Sequence, residues 1–180
     1  MLVRCSFRAL ATLVFGVFAG NALGEVIDLA ENGFTIRNAV TVSADPAKAY
    51  TALTDGIGKW WDPDHTFSHD AANLSIDAKP QGCFCERLAG GGGVRHLTVV
   101  SAVPGKTLRL EGGLGPLQAM ALAGSMTWTF QPEEKATSVE LRYVVGGYNP
   151  GGFKDLAPRV DSVLRSQLQR YKRYVETGRP

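Results

Sequence analysis

The stretch Ser138-Val-Glu-Leu-Arg-Tyr-Val-Val145 decides how this chain folds. Successive strand side chains point to opposite faces, so Val139, Leu141, Tyr143 and Val145 share one side of an extended backbone, opposite Glu140, Arg142 and Val144. A strand with one apolar side belongs to a sheet covered on that side only. The runs before it repeat the pattern: Met126, Trp128 and Phe130 oppose Thr127 and Thr129, and Leu108 and Leu110 oppose Arg109 and Glu111.

Working outward, the text from Leu74 to Val145 is all strand and turn. Strands are predicted at Leu74 to Ala78, Cys83 to Leu88, Val94 to Val103, Thr107 to Glu111, Ser125 to Phe130 and Ser138 to Val145. Pro80-Gln-Gly82, Gly90 to Gly93 and Pro104-Gly-Lys106 are short turn-formers between them, which makes an antiparallel meander. Only Gly112 to Gly124 is a longer link.

Upstream, Phe34 to Val42 alternates well enough for a first strand that ends near Ala44. Asp45 before Pro46 reads as a helix N-cap followed by proline in the first turn, where its missing N–H costs nothing, and Ala47 to Leu53 continue as a short helix. Gly56 and Gly58 break it, and Ile57, Trp60 and Trp61 share one side of a second short helix that stops before Pro63. Downstream, Val160, Val163, Leu164, Leu168, Tyr171 and Val175 recur at three-to-four-residue spacing between Pro158 and Gly178. This is a long amphipathic helix, and it supplies the cover for the apolar face of the sheet.

The N-terminus reads as an export signal. Arg4 and Arg8 stand in a basic start without acids, an apolar run extends from Ala9 to Gly20, and small residues follow. That run is too short for the roughly 20 residues a bilayer core demands, so no stable membrane anchor is expected. Residues 1–24 are assigned to the signal and 25–180 to one domain, with cleavage after Ala22 or Gly24. Cys5 precedes the apolar run and cannot be a lipidated cysteine at the cleavage site. The expected location is therefore the bacterial periplasm or the medium.

Processing changes the charge balance. The whole chain has 19 Lys and Arg against 17 Asp and Glu, and loss of Arg4 and Arg8 leaves 17 of each. A neutral balance gives no general drive toward nucleic acid, and none is expected as a partner. The remaining 156 or so residues suffice for one core that buries about 70% of the unfolded surface. Neither metal nor cofactor is called for.

Strand, two short helices, six antiparallel strands and a long closing helix resemble the α+β helix-grip fold of the START-related (SRPBCC) superfamily, which includes polyketide cyclases. On this resemblance a roughly seven-stranded antiparallel sheet wraps on the long C-terminal helix. Val42 to Leu53, Lys59-Trp-Trp61, Gly82-Cys-Phe-Cys-Glu86, Pro104-Gly-Lys106 and Gly124-Ser-Met-Thr-Trp-Thr-Phe130 are similar to the branch named after the activator of the heat-shock chaperone ATPase. The resemblance covers Phe34 to Gly178. It implies a cavity between sheet and helix that takes an apolar or aromatic small molecule, and it assigns no catalytic residue. An exported chain departs from a cytosolic cochaperone role, which is discounted.

Within that architecture the expected ligand-binding residues are Trp60, Trp61, Met126, Trp128, Tyr143, Leu164, Leu168 and Tyr171, with a filled core as the alternative. Gly112 to Gln118 is expected to act as a lid, with Gly146 to Gly152 as a hinge and Tyr148 near the same mouth. The Gly-rich runs lack the Lys-Ser or Lys-Thr ending of a phosphate loop.

Glu86 and His96 are the candidates for acid–base work. If Phe84 faces the cavity, so does Glu86, and a carboxylate there suits proton transfer. If Cys83 and Cys85 face inward, Glu86 is a surface charge. Period two forbids both, and the choice stays open. Ordinary strand rise puts Cys83 and Cys85 about 6.6 Å apart at Cα, at the edge of disulfide range, so a mutual bridge requires a bulge and a pair of buried thiols is the default. A soft metal on the pair would have only His96 to help it.

Asp62, Asp64, His65, His69 and Asp70 form a polar loop matching no metal motif, and a solvated loop is expected. Arg159, Arg165, Arg170, Lys172 and Arg173 make a basic helix face. Such faces usually meet water, and an acidic protein partner is the alternative reading.

Overall fold

The computed structural model describes residues 24–180. The export signal expected over residues 1–24 thus lies outside the described residues, apart from Gly24. The described chain forms one antiparallel sheet of eight strands in the order β1-β2-β8-β7-β6-β5-β4-β3, with three α-helices. The strands are β1 (Gly24–Ala30), β2 (Gly33–Val42), β3 (Leu74–Ile76), β4 (Cys83–Arg87), β5 (Gly93–Val103), β6 (Thr107–Gly112), β7 (Leu122–Pro132) and β8 (Thr137–Gly147). The helices are α1 (Pro46–Thr54), α2 (Ile57–Trp60) and α3 (Leu156–Thr177).

The expected seven strands are all present, and β1 is the eighth. It pairs with β2 across the turn at Glu31 and Asn32. Its exposed Ile27 and Leu29 break the alternation by which a half-buried strand is recognised, and a register shift between Val26 and Asp28 interrupts the pattern further. The rest of the sheet is the expected meander, except that β2 closes against β8, with Ile36 opposite Tyr143.

Local chemistry sets the helix ends. The Asp45 carboxylate accepts a hydrogen bond from the Lys48 amide at 2.8 Å, and Pro46 stands in the first turn of α1. Gly56 then passes beneath α3, where a Cβ would lie 2.4 Å from the Ala52 carbonyl oxygen and 2.8 Å from the Tyr174 ring. α3 ends at Gly178, whose φ of 77° suits a residue without Cβ, and its amide donates to the Tyr174 carbonyl at 2.8 Å.

The one-sided sheet is confirmed residue by residue. Leu108, Leu110, Met126, Trp128, Phe130, Val139, Leu141, Tyr143 and Val145 are all buried. α3 covers them with Leu164, Leu168, Tyr171 and Val175. At the centre, Trp60, Trp128 and Tyr171 meet edge to face, with ring centroids 5.3 to 6.5 Å apart. Buried polar tips find partners: the Trp60 indole donates to the Ala52 carbonyl and the Tyr171 hydroxyl to the Ala49 carbonyl.

Cys83 and Cys85 correct the default expectation of buried thiols. They form a disulfide and are only partly buried. The Cα atoms of the two cysteines lie 5.4 Å apart, beside a β4–β5 register shift in which His96 is the extra residue on β5. Among the described residues, no helix is long and apolar enough to cross a membrane, and no group of three or more His, Cys, Asp or Glu residues could hold a metal ion.

Candidate functional site

Phe84 and Glu86 point to the covered side of β4, and both are buried. The two cysteines lie on the opposite face, which resolves the alternatives left open by period two. His96 lies on β5 beside them, and its Nε2 is 2.9 Å from Oε2 of Glu86. Both side chains are almost completely withdrawn from solvent.

The Glu86 carboxylate has three sets of donors. The backbone amides of Phe67 and Ser68 donate to its two oxygens, and His96 is the third. These amides belong to the loop expected to be merely solvated. That loop is tied at both ends by its own side chains: Asp62 accepts from the Asp64 amide and Asp70 from the Ala72 amide. Its polar residues shape the turn, and its backbone reaches inward to hold the carboxylate.

The electrostatics follow from these contacts. Burial opposes ionisation of Glu86, but the hydrogen bonds from Ser68, the Phe67 amide and His96 outweigh it and hold its pKa below the ordinary value. Burial lowers the pKa of His96 as well, only partly offset by Glu86. The pair is thus an ionised carboxylate beside a neutral imidazole. An ionised carboxylate can only accept, so the shared contact assigns the imidazole proton to Nε2 and leaves a lone pair on Nδ1. That Nδ1 is buried and has no hydrogen-bond partner among the described residues.

Beside this pair is a cavity of about 540 Å³. Trp61, Phe67, Phe84 and His96 form one wall, Leu114 and Leu117 a second, and Leu156, Val160, Val163 and Leu164 of α3 a third. The His96 ring lies between Phe67, stacked at 5.9 Å, and Phe84 at 5.0 Å. The exposed lining residues Asp64, His65, Phe67, Pro116 and Arg159 mark the mouth. Apolar walls with a few converging polar groups are the usual make-up of a small-molecule site.

The link Gly112 to Gln118, expected as a lid, forms part of this wall through Leu114 to Leu117. Tyr143 pins it: its hydroxyl donates to the Gly112 carbonyl at 2.9 Å and accepts from the Leu114 amide at 3.1 Å. Burial pushes the Tyr143 phenol up to about 12, so it keeps its proton. Tyr148 is exposed and does not line the cavity.

Of the eight residues expected to bind ligand, Trp61 and Leu164 line the cavity. Trp60, Met126, Trp128, Tyr143, Leu168 and Tyr171 lie in the packed core instead. Alternation shows which face a residue takes but not its depth along the strand, and Trp60 and Tyr171 fill the space over β7. The cavity lies toward the N-terminal half of α3 and the β4–β5 side of the sheet. Phe67 and Leu156 escaped sequence reasoning, whereas Leu114 and Leu117 entered it only as part of the expected lid and Arg159 only as part of the basic helix face. Phe67 carried a usable signal, as a lone aromatic in a polar loop.

The basic face of α3 is less free than its sequence implies. Arg170 donates to the Trp60 carbonyl at 2.8 Å, and Lys172 donates to the Thr41 carbonyl and the Glu176 carboxylate.

Solved structures share this architecture. A conserved protein of unknown function from Enterococcus faecalis superposes with a TM-score of 0.60 at 15% identity, over 87% of this chain and 78% of its own. The Aha1 dimer from Colwellia psychrerythraea gives 0.58 at 21%, over 81% and 98%. CalU16 from Micromonospora echinospora gives 0.55 at 12%, over 88% of each chain. At these identities the likeness is one of fold. No curated protein matches the sequence significantly. The family model described as polyketide cyclase / dehydrase and lipid transport matches residues 33–176, from the first residue of β2 to the last turn of α3. With nearly the whole described domain matched and the helix-grip architecture in place, the chain belongs to the polyketide cyclase/dehydrase and lipid transport family of the SRPBCC superfamily.

Proposed function

We propose that this protein is an exported binding protein that holds an apolar or aromatic small molecule in the cavity between β4, β5 and α3. The observation that carries the reading is the cavity itself: about 540 Å³, walled by the rings of Trp61, Phe67, Phe84 and His96 and by aliphatic side chains of α3 and the Gly112–Gln118 link. Burial of a ligand's apolar surface there contributes about 25 cal/mol per Å². The lipid transport named in the family description is consistent with such a ligand.

Export is supported by the basic, apolar and small-residue order of residues 1–24, and by the Cys83–Cys85 disulfide, since disulfides persist mainly in oxidising compartments. N-terminal sequencing of the protein from the exported fraction of its host is expected to begin at Leu23 or Glu25. A cytosolic protein that retains Met1 would overturn export.

Native mass spectrometry of the same material tests binding. A mass excess lost on denaturation is expected. A bare mass, together with failure of apolar aromatic probes to bind, would leave the cavity without its proposed role.

The convergence of Glu86 and His96 favours a second reading, cyclase- or dehydratase-like proton transfer in the same cavity. A carboxylate that fixes the tautomer of a neutral imidazole is the arrangement by which a histidine serves as a general base. Turnover of a bound ligand, abolished by His96→Phe with ligand binding retained, would support it.

A further inference from the structure

The Cys83–Cys85 disulfide closes a ring around a single residue, since the two cysteines stand two apart in sequence. A bridge stabilises a fold chiefly by closing a long loop of the unfolded chain, and this loop is very short. Its placement suits chemistry better than stapling. Both cysteines are half-buried on the face of β4 opposite Phe84 and Glu86, next to β3, which is the sheet edge and only three residues long. Phe84 between them is buried against Trp61 and His96, with ring centroids 5.4 and 5.0 Å away, which keeps both cysteine side chains on the outer face when the bond opens. The two sulfurs also have different neighbours, because residues paired across strands share a face. Cys85 stands opposite Arg95 of β5 and Ser75 of β3, and Arg87 follows it two residues along β4. Arg95 is exposed and makes no ion pair among the described residues, while Arg87 donates to the Ala72 carbonyl at 3.4 Å and the Asn73 side chain at 3.5 Å. Cys83 stands opposite Thr98, and the Asp77 amide donates to its carbonyl at 2.9 Å. The Asp77 carboxylate is paired with Lys79, and Glu111 lies one strand further, opposite Thr98. The uncompensated positive charge is therefore on the Cys85 side. A cation beside a cysteine lowers the pKa of its thiol and makes it the better leaving group.

We propose that Cys83–Cys85 is a thiol–disulfide exchange site that oxidises a pair of thiols on a second protein chain. A partner thiolate attacks Sγ of Cys83, the bond between the two cysteines breaks, and its electron pair leaves on Cys85 as a thiolate beside Arg95. The partner's second thiolate then attacks the partner sulfur of the mixed disulfide. The partner's disulfide forms and Cys83 leaves as a thiolate. The two protons given up by the partner's thiols end on Cys83 and Cys85, so the site gains two electrons and the partner loses them. Cys83 and Cys85 are the only cysteines among the described residues, and no third thiol of the domain diverts the exchange.

Two probes test this on the purified protein in native buffer: reduced glutathione, and a synthetic peptide carrying two cysteines. After brief exposure to glutathione, alkylation with N-ethylmaleimide and peptide mapping by mass spectrometry, glutathione is expected on Cys83 and maleimide on Cys85. With the dithiol peptide, one peptide is expected to be oxidised for each protein reduced. Arg95→Ala, at an exposed position, is expected to slow this exchange about fivefold, and Arg95→Lys to restore it. In Cys83→Ser, where Cys85 is the single thiol of the domain, removal of Arg95 is expected to raise the pH at which the thiolate absorbance appears, a change that a merely structural bridge does not require. A bridge that the two probes open only in denaturant would overturn the proposal. Glutathione divided equally between the cysteines, with no effect of Arg95→Ala, would overturn it as well. Should Cys83→Ser fail to fold, the peptide mapping and the Arg95 rates decide alone.

Discussion

Nε2 of His96 lies 2.9 Å from Oε2 of Glu86, and the carboxylate is held from its other side by two consecutive backbone amides, those of Phe67 and Ser68. Two strands and a distant loop are thereby joined through one buried charge. The carboxylate accepts from donors on both oxygens, so glutamine, although isosteric, does not fit. Whichever way its amide turns, an NH₂ group faces a backbone N–H. Glu86→Gln is expected to cost about 2–3 kcal/mol in urea denaturation, from a buried donor left unsatisfied and a charge-assisted bond lost. A loss below about 0.5 kcal/mol would show that the carboxylate does not hold the loop.

The same pair makes the fold acid-labile in two stages. His96 titrates below its ordinary value of 6.5 and Glu86 below its ordinary value of 4.5. In each case the unfolded chain takes up its proton at a higher pH than the folded one, so stability falls as pH falls. Both contributions are complete above about pH 6.5. The His96 contribution declines below that value and the Glu86 contribution below about pH 4.5. Thermal unfolding followed from pH 8 to pH 3 should show both declines, and His96→Phe should remove the upper one. A Tm independent of pH between 6.5 and 5 would contradict the neutral, buried imidazole.

Trp60 and Trp61 are adjacent in sequence and differ in role. Trp60 is fully buried among Trp128, Tyr171 and Trp61, whereas Trp61 also faces the cavity. Trp60→Ala is expected to cost about 3–5 kcal/mol of stability. Trp61→Ala is expected to cost less and to weaken binding of naphthalene severalfold. Equal effects of the two substitutions on both measurements would contradict this division.

Tyr143 ties the Gly112–Gln118 link to β8 through two hydrogen bonds of its hydroxyl. Tyr143→Phe leaves the Leu114 amide and the Gly112 carbonyl without that partner, at an expected cost of about 1–3 kcal/mol. The link forms one cavity wall, so amide exchange at Leu114 should accelerate in the variant, while the Trp60 side of the core stays protected. Unchanged exchange at Leu114 would show that the link is held by its apolar contacts alone.

The Cys83–Cys85 bridge closes a very short loop, and loop-closure entropy gives it only about 1–2 kcal/mol of stabilisation. Reduction is expected to lower the Tm by a few degrees and to leave the fold intact. Intact mass before and after reduction checks that the bond is present. Unfolding on reduction would mean that the bulge depends on the bridge.

The sheet, its apolar side, the covering helix and the Asp45 cap could all be read from the sequence, because each rests on local periodicity or on a single capping residue. Val139 to Val145 and Val160 to Val175 settle their own faces without reference to any distant part of the chain. β1 escaped because Ile27 and Leu29 are apolar yet exposed, which defeats period two. Glu86 and His96 could be named as candidates from their residue types. Their meeting depended on the β4–β5 register, which the bulge between Phe84 and Cys85 sets.

Periodicity by itself therefore determined the layers of this protein and which residues face between them. It assigns a direction to each side chain but no depth, and it is silent on contacts between residues far apart in the chain. Only the tertiary structure decided that Trp60, Trp128 and Tyr171 fill one end of the interlayer space, while Trp61, Phe67, Phe84 and Leu164 leave the other end open. It also decided that the two sulfurs meet and that a polar loop brings two amides to a buried carboxylate. The physical reason is the same in each case: close packing and hydrogen-bond satisfaction are settled by neighbours in space, and the sequence names those neighbours only after the chain has folded.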